Sequence, residues 1–161
     1  MAKEVIVSAI LMIASVIAAV TFVNAIIPSV YELSQSYNSV ARNMEDQFKT
    51  DIEIIFVYPH DETGNDTVSL WIKNVGSSEI PFENLIYSNI FLSSSSQYCN
   101  PDFESASPPS WNYTSVDKTD NIWGRGETIE LTITPGFELS GKYQISFYLY
   151  NGISVSDTFS K

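Results

Sequence analysis

The feature that most constrains this chain is an apolar segment near its amino terminus. Residues 5–31 contain no charged side chain, and the apolar run up to Ile27 is interrupted only by Ser8, Ser15, Thr21 and Asn24. About 20 residues at ~1.5 Å each cross a hydrocarbon core about 30 Å thick, and a core helix of a small domain would show a polar face that this segment lacks. The sequence therefore predicts a transmembrane helix over residues 1–28.

The residues that flank this segment bear on its processing and orientation. A secretory signal has an apolar core of roughly 7–15 residues, whereas this segment is longer and continues into a patterned helix. Only residues 1–4 precede it, fewer than a prepilin-type leader needs, so we expect either no cleavage or a mature start among them. Lys3 and the positive-inside rule predict a cytoplasmic amino terminus and an extracytoplasmic remainder. The side chains predicted to anchor the chain in lipid are Val5, Ile6, Ile10, Leu11, Ile13, Val16, Ile17, Val20, Phe22, Val23, Ile26 and Ile27.

Residues 29–49 predict an amphipathic stalk that follows the anchor. Pro28 predicts a kink or short break where the helix leaves the membrane. Beyond it, apolar side chains recur at spacings of three and four, namely Val30, Leu33, Tyr37, Val40, Met44 and Phe48. This stripe is expected to contact either the globular domain of the same chain or a second protomer, and the pattern leaves both open. Anchor and stalk together predict one helix of roughly 45 residues.

From residue 50 the hydrophobic period changes from helical to two. Ile52, Ile54, Phe56 and Tyr58 alternate on one side of a first strand, a polar turn follows at 59–66, and a second strand follows at 67–73. Further strands are predicted at 85–92, 128–134, 142–150 and 154–159, with turns at 124–126 and 135–136 and a two-residue hairpin turn at Asn151-Gly152. Short strands without intervening helices predict an all-β fold, an immunoglobulin-like antiparallel β-sandwich at 50–161 preceded by one long helix.

Residues 93–114 interrupt this strand pattern. The segment is polar and contains proline, and a loop of this length in a compact domain is usually functional or mobile. Its aromatic side chains either form a surface for a partner or pin the loop onto the sandwich: Tyr98, Phe103, Trp111 and Tyr113. Two Asn-x-Thr sequons make Asn65 and Asn112 candidate glycosylation sites in an exported domain.

The composition excludes several classes of function. With 8 Lys+Arg, 19 Asp+Glu and a net charge of -11, the chain lacks the basic clusters that bind nucleic acid. A single cysteine, Cys99, and a single histidine, His60, do not make a zinc or haem site, and the acidic residues of 61–66 lack the spacing of an EF-hand. There is no phosphate-binding glycine loop and no nucleophile motif to pair with His60. We therefore expect no cofactor, no metal and no enzymatic activity.

Four downstream segments follow one another in a recognisable order: Lys49-Thr-Asp-Ile-Glu-Ile-Ile55, Trp71-Ile-Lys-Asn-Val-Gly-Ser77, Gly126-Glu-Thr-Ile-Glu-Leu-Thr-Ile133, and Leu139-Ser-Gly-Lys-Tyr143 leading to Asn151-Gly152. Together they resemble archaellum accessory proteins of the FlaG/FlaF group. Each segment alone is generic, so the resemblance rests on their order and spacing. The segments look like FlaG, and FlaF stays open because the two share one plan: a short amino terminus, a type IV pilin-like helix and an outer sandwich. The likeness covers nearly the whole chain except about 93–121, which looks longer than is usual in the group.

This resemblance implies a non-enzymatic, membrane-anchored part of the archaeal motility machinery. Its domain would face the pseudo-periplasm beneath the surface layer, in the manner of a stator. The partners so implied are membrane lipid, a FlaF-like accessory protein, a surface-layer protein, the archaellum motor and further copies of the chain. Two other functions remain open: a filament subunit of the archaellin or archaeal pilin class, and a surface adhesin that binds through residues 93–114.

Overall fold

The computed structural model describes residues 2–62, 65–115 and 121–161, and it begins with one helix, α1, at Ala2–Lys49. Glu4 in the first turn and Lys49 in the last turn have the charges that the helix dipole favours. The predicted break at Pro28 does not occur, because the helix continues through this residue. A proline removes only its own backbone bond, and the flanking turns keep theirs.

Eleven strands follow the helix among the described residues and form two main sheets. One sheet has the order β1-β2-β9-β7-β6 and the other the order β11-β10-β4-β5, while β3 and β8 form a small ribbon. All pairings are antiparallel except that of β6 with β7. The strands are β1 Ile52–Glu62, β2 Asn65–Asn74, β3 Ile80–Pro81, β4 Asn89–Ser93, β5 Tyr98–Cys99, β6 Asp102–Phe103, β7 Ser110–Ser115, β8 Ile122–Trp123, β9 Thr128–Thr134, β10 Lys142–Tyr148 and β11 Ser154–Ser160. The prediction of an all-β sandwich preceded by one long helix is confirmed.

The described chain divides into two compact units between Met44 and Glu45. The first is helical, and the second contains the last turn of α1 together with the sandwich. The boundaries predicted after residues 28 and 49 concern the membrane and the envelope, and they remain predictions.

The core of the sandwich lies between the two sheets. Alternate residues of β2 and β9 are fully buried, and they face buried residues of β4 and β10: Leu70, Ile72, Ile129, Leu131, Ile133, Ile90, Leu92, Ile145 and Phe147. Each such side chain stabilises the fold by about 1.5–3 kcal/mol relative to its exposed state. The alternation that predicted these strands therefore results from the burial of one face of each sheet.

Three predicted segments differ from the structure. Residues 85–92 are not one strand, because a 3-10 helix at Phe82–Tyr87 precedes β4 and buries Phe82 and Leu85 three positions apart. Residues 93–114 contain β5, β6 and part of β7, and the continuation at 116–120 lies outside the described residues. The predicted turn at 59–66 is mostly strand, since β1 runs to Glu62 and β2 begins at Asn65; residues 63–64 lie outside the described residues.

The hairpin between β10 and β11 also differs by one residue from the prediction. Gly152 N–H donates to the Leu149 carbonyl at 2.9 Å, and Leu149 N–H donates to the Ile153 carbonyl at 2.8 Å. Gly152 has a φ of 87°, in the left-handed region that glycine adopts readily. The turn thus has three residues, the form in which a type I turn is followed by a left-handed residue.

A bulge at Ile55 reverses which side chains of β1 face the core. Ile54 pairs with Ile72, but Phe56 pairs with Trp71, so one extra residue lies between them. Ile52 and Ile54 before the bulge face the core, as does Val57 after it. Phe56 and Tyr58 therefore face outward, and the prediction that they share a side with Ile52 and Ile54 is wrong.

Candidate interaction surfaces

The amino-terminal part of α1 presents an apolar surface on all sides. The twelve predicted anchor residues are each 41–66% exposed. A window of 18 residues in this helix has a mean hydropathy of 2.7, so by length and composition the helix qualifies as a membrane span; a signal sequence near an amino terminus meets the same criteria. The hydroxyls of Ser8, Ser15 and Thr21 donate to helix carbonyls, which suits a segment in lipid because these three polar hydrogens have partners within the helix.

The stalk part of α1 carries the predicted apolar stripe on its surface. Its six side chains are 50–84% exposed, with Phe48 the most exposed: Val30, Leu33, Tyr37, Val40, Met44 and Phe48. The stripe is thus accessible to a partner.

The last turn of α1 is hydrogen-bonded to two turns of the sandwich. The Lys49 carbonyl accepts from the backbone N–H groups of Ser77 and Ser78 at 2.8 and 3.0 Å. On the other side, Gln47 Nε2 donates to the Asn151 carbonyl at 2.8 Å, and Asn151 Nδ2 donates to Thr50 Oγ1 at 3.0 Å. The connection between helix and sandwich is therefore an ordered junction with partners on both sides.

Asn74 and Gly76 build the turn that receives the helix end. Asn74 is fully buried; its Nδ2 donates to the carbonyls of Ser78 and Trp123 at 2.9 and 3.1 Å, and its Oδ1 accepts from Gly76 N–H at 3.1 Å. A Cβ on Gly76 would lie 2.5 Å from both the Lys49 oxygen and the Asp51 nitrogen, closer than real Cβ atoms come to other heavy atoms. Only glycine lets this turn approach the helix end so closely.

The outward side of β1 carries a row of aromatic rings, which we call the β1 aromatic row: the exposed Phe56 and Tyr58, the half-buried His60 and the neighbouring half-buried Trp71 of β2. The rings of Phe56 and Tyr58 stack at 6.3 Å between centroids, Tyr58 and His60 at 5.2 Å, and Phe56 and Trp71 at 5.6 Å. Phe56 is 55% exposed and Tyr58 49%. Exposed aromatic groups on an ordered scaffold are the side chains enriched at protein interfaces.

The four aromatic residues predicted for a partner loop do not share one surface. Trp111 is 2% exposed and lies in the core, and Phe103 and Tyr113 pack against that core as well as against each other. Only Tyr98 is exposed, next to Phe91 at 6.0 Å on the four-stranded sheet. Trp111 is buried because it pairs with Ile133 on the inward face of β7, so a partner contact through Trp111 is wrong.

The two candidate glycosylation sites are both accessible. Asn65 begins β2, and Asn112 lies on the outward side of β7, where neighbouring residues alternate with the buried Trp111. Their side chains have the exposure that a glycan needs, and their modification remains a prediction.

Lys161 and Asp66 fix the β1–β2 hairpin to the carboxyl-terminal segment. Lys161 Nζ contacts carboxylate oxygens of both Asp61 and Asp66, and Asp66 also accepts from Leu139 N–H. The Lys161 ammonium and the Leu139 N–H together hold the pKa of Asp66 down at about 2. The carboxylate of Asp66 is 10% exposed, whereas that of Asp61 is 71% exposed.

We expect Asp66→Asn to lower the melting temperature of the full-length protein in detergent by about 4 °C at pH 7. This shift corresponds to a loss of about 1 kcal/mol in the free energy of unfolding. The pKa of Asp66 is depressed in the folded state, so its stabilisation is complete above about pH 4 and is lost as the pH falls towards 2. The difference between wild type and variant should shrink over this range, as read by tryptophan fluorescence. Asp61→Asn is the matched control with an exposed carboxylate; an equal loss in both variants would contradict this assignment.

The described residues offer little for chemistry. No group of three or more His, Cys, Asp or Glu residues among them is placed to hold a metal ion. Cys99 is buried in the sandwich, and burial raises the pKa of its thiol to about 11, so it stays protonated near neutral pH. The candidate sites described above are therefore surfaces.

The chain is similar to a known protein family and to an archaeal protein. The chain matches the model of the archaeal-type flagellin family over residues 2–159. The chain belongs to the archaeal-type flagellin family. It is also 36% identical over 164 residues to a protein of Archaeoglobus fulgidus described only as uncharacterized, with 99% of each chain covered.

Among solved structures, this family member is similar to the archaellum periplasmic stator protein FlaG from Sulfolobus acidocaldarius. The TM-score is 0.55 at 27% identity, and the match covers 68% of this chain and 99% of that one. It is also similar to a chain of the FlaF and FlaG stator complex from the same organism, with a TM-score of 0.54 at 26% identity, over 67% of this chain and 87% of that one. The fold is therefore FlaG-like, and the predicted resemblance to the FlaG/FlaF group is confirmed.

Sequence reasoning missed three features of this family member: the outward Phe56 and Tyr58, the buried Asn74 and the close approach at Gly76. The last two lie in the segment Trp71-Ile-Lys-Asn-Val-Gly-Ser77, which carried part of the resemblance. In the structure this segment provides an amide that joins its own turn to Trp123 and a glycine that lies against the helix end.

Proposed function

We propose that this protein is a non-enzymatic stator component of an archaellum. Its amino-terminal helix would anchor it in the cell membrane, and its sandwich would bind a FlaF-like protein outside. The observation that carries the proposal is the similarity of this chain to FlaG and to a chain of the FlaF and FlaG complex.

The membrane anchor is supported by the composition and exposure of α1. Its apolar residues have no polar face to turn towards water, and transfer of such a surface into lipid is strongly favourable. Lys3 before the apolar segment supports an amino terminus in the cytoplasm. The sandwich would then lie in the pseudo-periplasm, where it can join the archaellum motor to the surface layer through its partner.

The β1 aromatic row is the proposed contact for the FlaF-like partner. It combines Phe56 and Tyr58, exposed apolar rings on one strand, with the rings of Trp71 and His60 beside them. Ile55 at the bulge is also exposed and extends the apolar area. Such a patch loses water-exposed apolar area when a second sandwich packs on it.

We expect Phe56→Ser together with Tyr58→Ser to weaken binding of the FlaF-like protein by at least about 30-fold, because two interface aromatic residues at about 1 kcal/mol or more each contribute about 2 kcal/mol together. Binding is measured between the full-length protein in nanodiscs and the purified FlaF-like protein from the same organism. The matched control is Tyr87→Ser, which removes an exposed ring from the 3-10 helix. Unchanged binding in the double variant would exclude this surface, and absence of binding by the wild type would exclude the stator proposal.

A filament subunit is the second candidate, because the family that the chain matches is named for flagellins. In that case α1 would leave the membrane and pack in a filament core. Shearing of cells separates filaments from membranes, and the intact mass of the native protein shows whether an amino-terminal peptide is removed. A processed protein in the sheared fraction would favour the filament; an unprocessed protein in the membrane fraction would favour the anchor.

A further inference from the structure

The stalk stripe has the repeat of a coiled coil. Between residues 30 and 44 the apolar positions are spaced alternately by three and four, which averages to 3.5 residues. A straight helix repeats every 3.6 residues, so a 3.5 repeat keeps one stripe against a partner helix along its length. In heptad notation, positions a are Val30, Tyr37 and Met44, and positions d are Leu33 and Val40.

The residues that flank this stripe carry no charge. Positions e and g are Ser34, Ser36, Ala41 and Asn43, whereas the charged residues Glu32, Arg42, Glu45 and Asp46 occupy positions b, c and f on the remote side. Charges at e and g normally determine which helices pair, and like charges there would keep identical helices apart. A neutral flank therefore permits two identical chains to pair in parallel.

The stripe ends where the helix meets the sandwich. The next d position is Gln47, and its side chain donates to the Asn151 carbonyl. Two heptads give a seam of about 22 Å, which is marginal for a coiled coil in water. Pairing in a membrane is easier, because anchored helices share one plane and a high effective concentration.

In the same register, position g carries small side chains along most of α1, with Phe22 as the exception. Position g carries serine at four of the five heptads that precede residue 43: Ser8, Ser15, Ser29 and Ser36. Small residues at a seven-residue period let helices approach closely within a bilayer. This continuity supports the stalk pattern and agrees with its register.

We propose that residues 30–44 of α1 form a parallel seam with a second copy of this chain. Identical chains that leave the membrane at the same residue bring equal heptad positions together, so the stripe is complementary to itself. The proposal goes beyond the stator function, which needs only one anchored chain and its sandwich partner.

Disulfide cross-linking in native membranes tests the seam. In a Cys99→Ala background, single cysteines replace Tyr37, Val40 or Met44 at a and d positions, and matched cysteines replace Asn38, Ser39 or Arg42 at b, c and f positions. After mild oxidation, we expect at least about fivefold more dimer for the first set, because only a and d side chains meet across a seam. Co-expression of two differently tagged copies identifies the product as a pair of this chain.

Four outcomes of the cross-linking would overturn the proposal. They are equal yields at all six positions, a product with a different protein, ladders beyond the dimer as in a filament, or no product at any position. Tryptophan fluorescence confirms that each variant is folded, since all three tryptophans lie in the sandwich.

A second experiment combines Met44→Cys with a glutamate substitution. Val40→Glu at position d should reduce the dimer yield about tenfold, whereas Ser39→Glu at position c should leave the dimer yield unchanged. Equal effects of the two glutamates would also overturn the proposal. If the protein forms the cross-linked dimer but does not bind the FlaF-like protein, the proposed stator function is contradicted and the seam is not.

Discussion

Gly76→Ala is expected to destabilise the sandwich by about 3 kcal/mol and to lower its melting temperature by about 12 °C. The added Cβ would meet the Lys49 oxygen and the Asp51 nitrogen, both backbone atoms that cannot rotate away. The turn after β2 must therefore move off the helix end, and the bonds from Ser77 and Ser78 to the Lys49 carbonyl lengthen or break. Tryptophan fluorescence of the full-length protein in detergent measures the unfolding of the sandwich.

The matched control for this prediction is Gly141→Ala. Gly141 has a φ of 87° and nothing within 4 Å of an added Cβ, so its substitution should cost only the backbone term of about 1 kcal/mol. Trypsin provides a second measurement, since cleavage after Lys49 requires the junction to open and should accelerate in Gly76→Ala only. Similar melting temperatures for the two variants would show that the contact at Gly76 is not tight in solution.

Asn74→Ala is expected to cost about 2–4 kcal/mol, because it leaves the carbonyls of Ser78 and Trp123 without their donor in the interior. Gly76 N–H loses Asn74 Oδ1 but keeps the Asp51 carbonyl at 2.9 Å, so the loss is confined to the two carbonyls. Asn74→Asp keeps the volume and the acceptor but places a carboxylate against those carbonyls, and it should be at least as damaging.

An exposed asparagine on a strand serves as the control for Asn74. Asn89 begins β4 and faces solvent, so Asn89→Ala should change stability by no more than about 0.5 kcal/mol. The melting temperatures of wild type, Asn74→Ala, Asn74→Asp and Asn89→Ala are compared under the same conditions. If Asn74→Ala melts with Asn89→Ala, the buried amide does not hold the turn.

Much of the fold follows from local pattern, and the exceptions have identifiable causes. The helix was predictable because a long stretch without charge has few alternatives, and β2 and β9 were predictable because apolar residues alternate along both strands, as expected for a sheet with one face in the core. In β2 the neighbouring polar residues Thr67 and Ser69 are buried as well. The bulge at Ile55 has no such signal, since Ile54, Ile55 and Phe56 are apolar in either register.

The interaction surfaces were less accessible to sequence reasoning. Trp111 and Tyr98 belong to one polar segment and look alike in sequence, yet pairing places Trp111 on an inward face and leaves Tyr98 outside. The contacts at Asn74 and Gly76 join residues distant in sequence, which no local pattern encodes. The stalk stripe was predicted as a pattern; its partner remains a matter for cross-linking.

The junction at the end of α1 has a mechanical consequence. Its two groups of bonds lead to different sheets, because Ser77 and Ser78 follow β2 of the five-stranded sheet and Asn151 lies in the hairpin of the four-stranded sheet. Tension on the last helical turn would therefore be divided between both layers instead of peeling one strand from its neighbour. Hydrogen bonds loaded in parallel must fail together, so the sandwich is expected to unfold at a higher pulling force from this end than it would if the helix were joined to β1 by the chain alone.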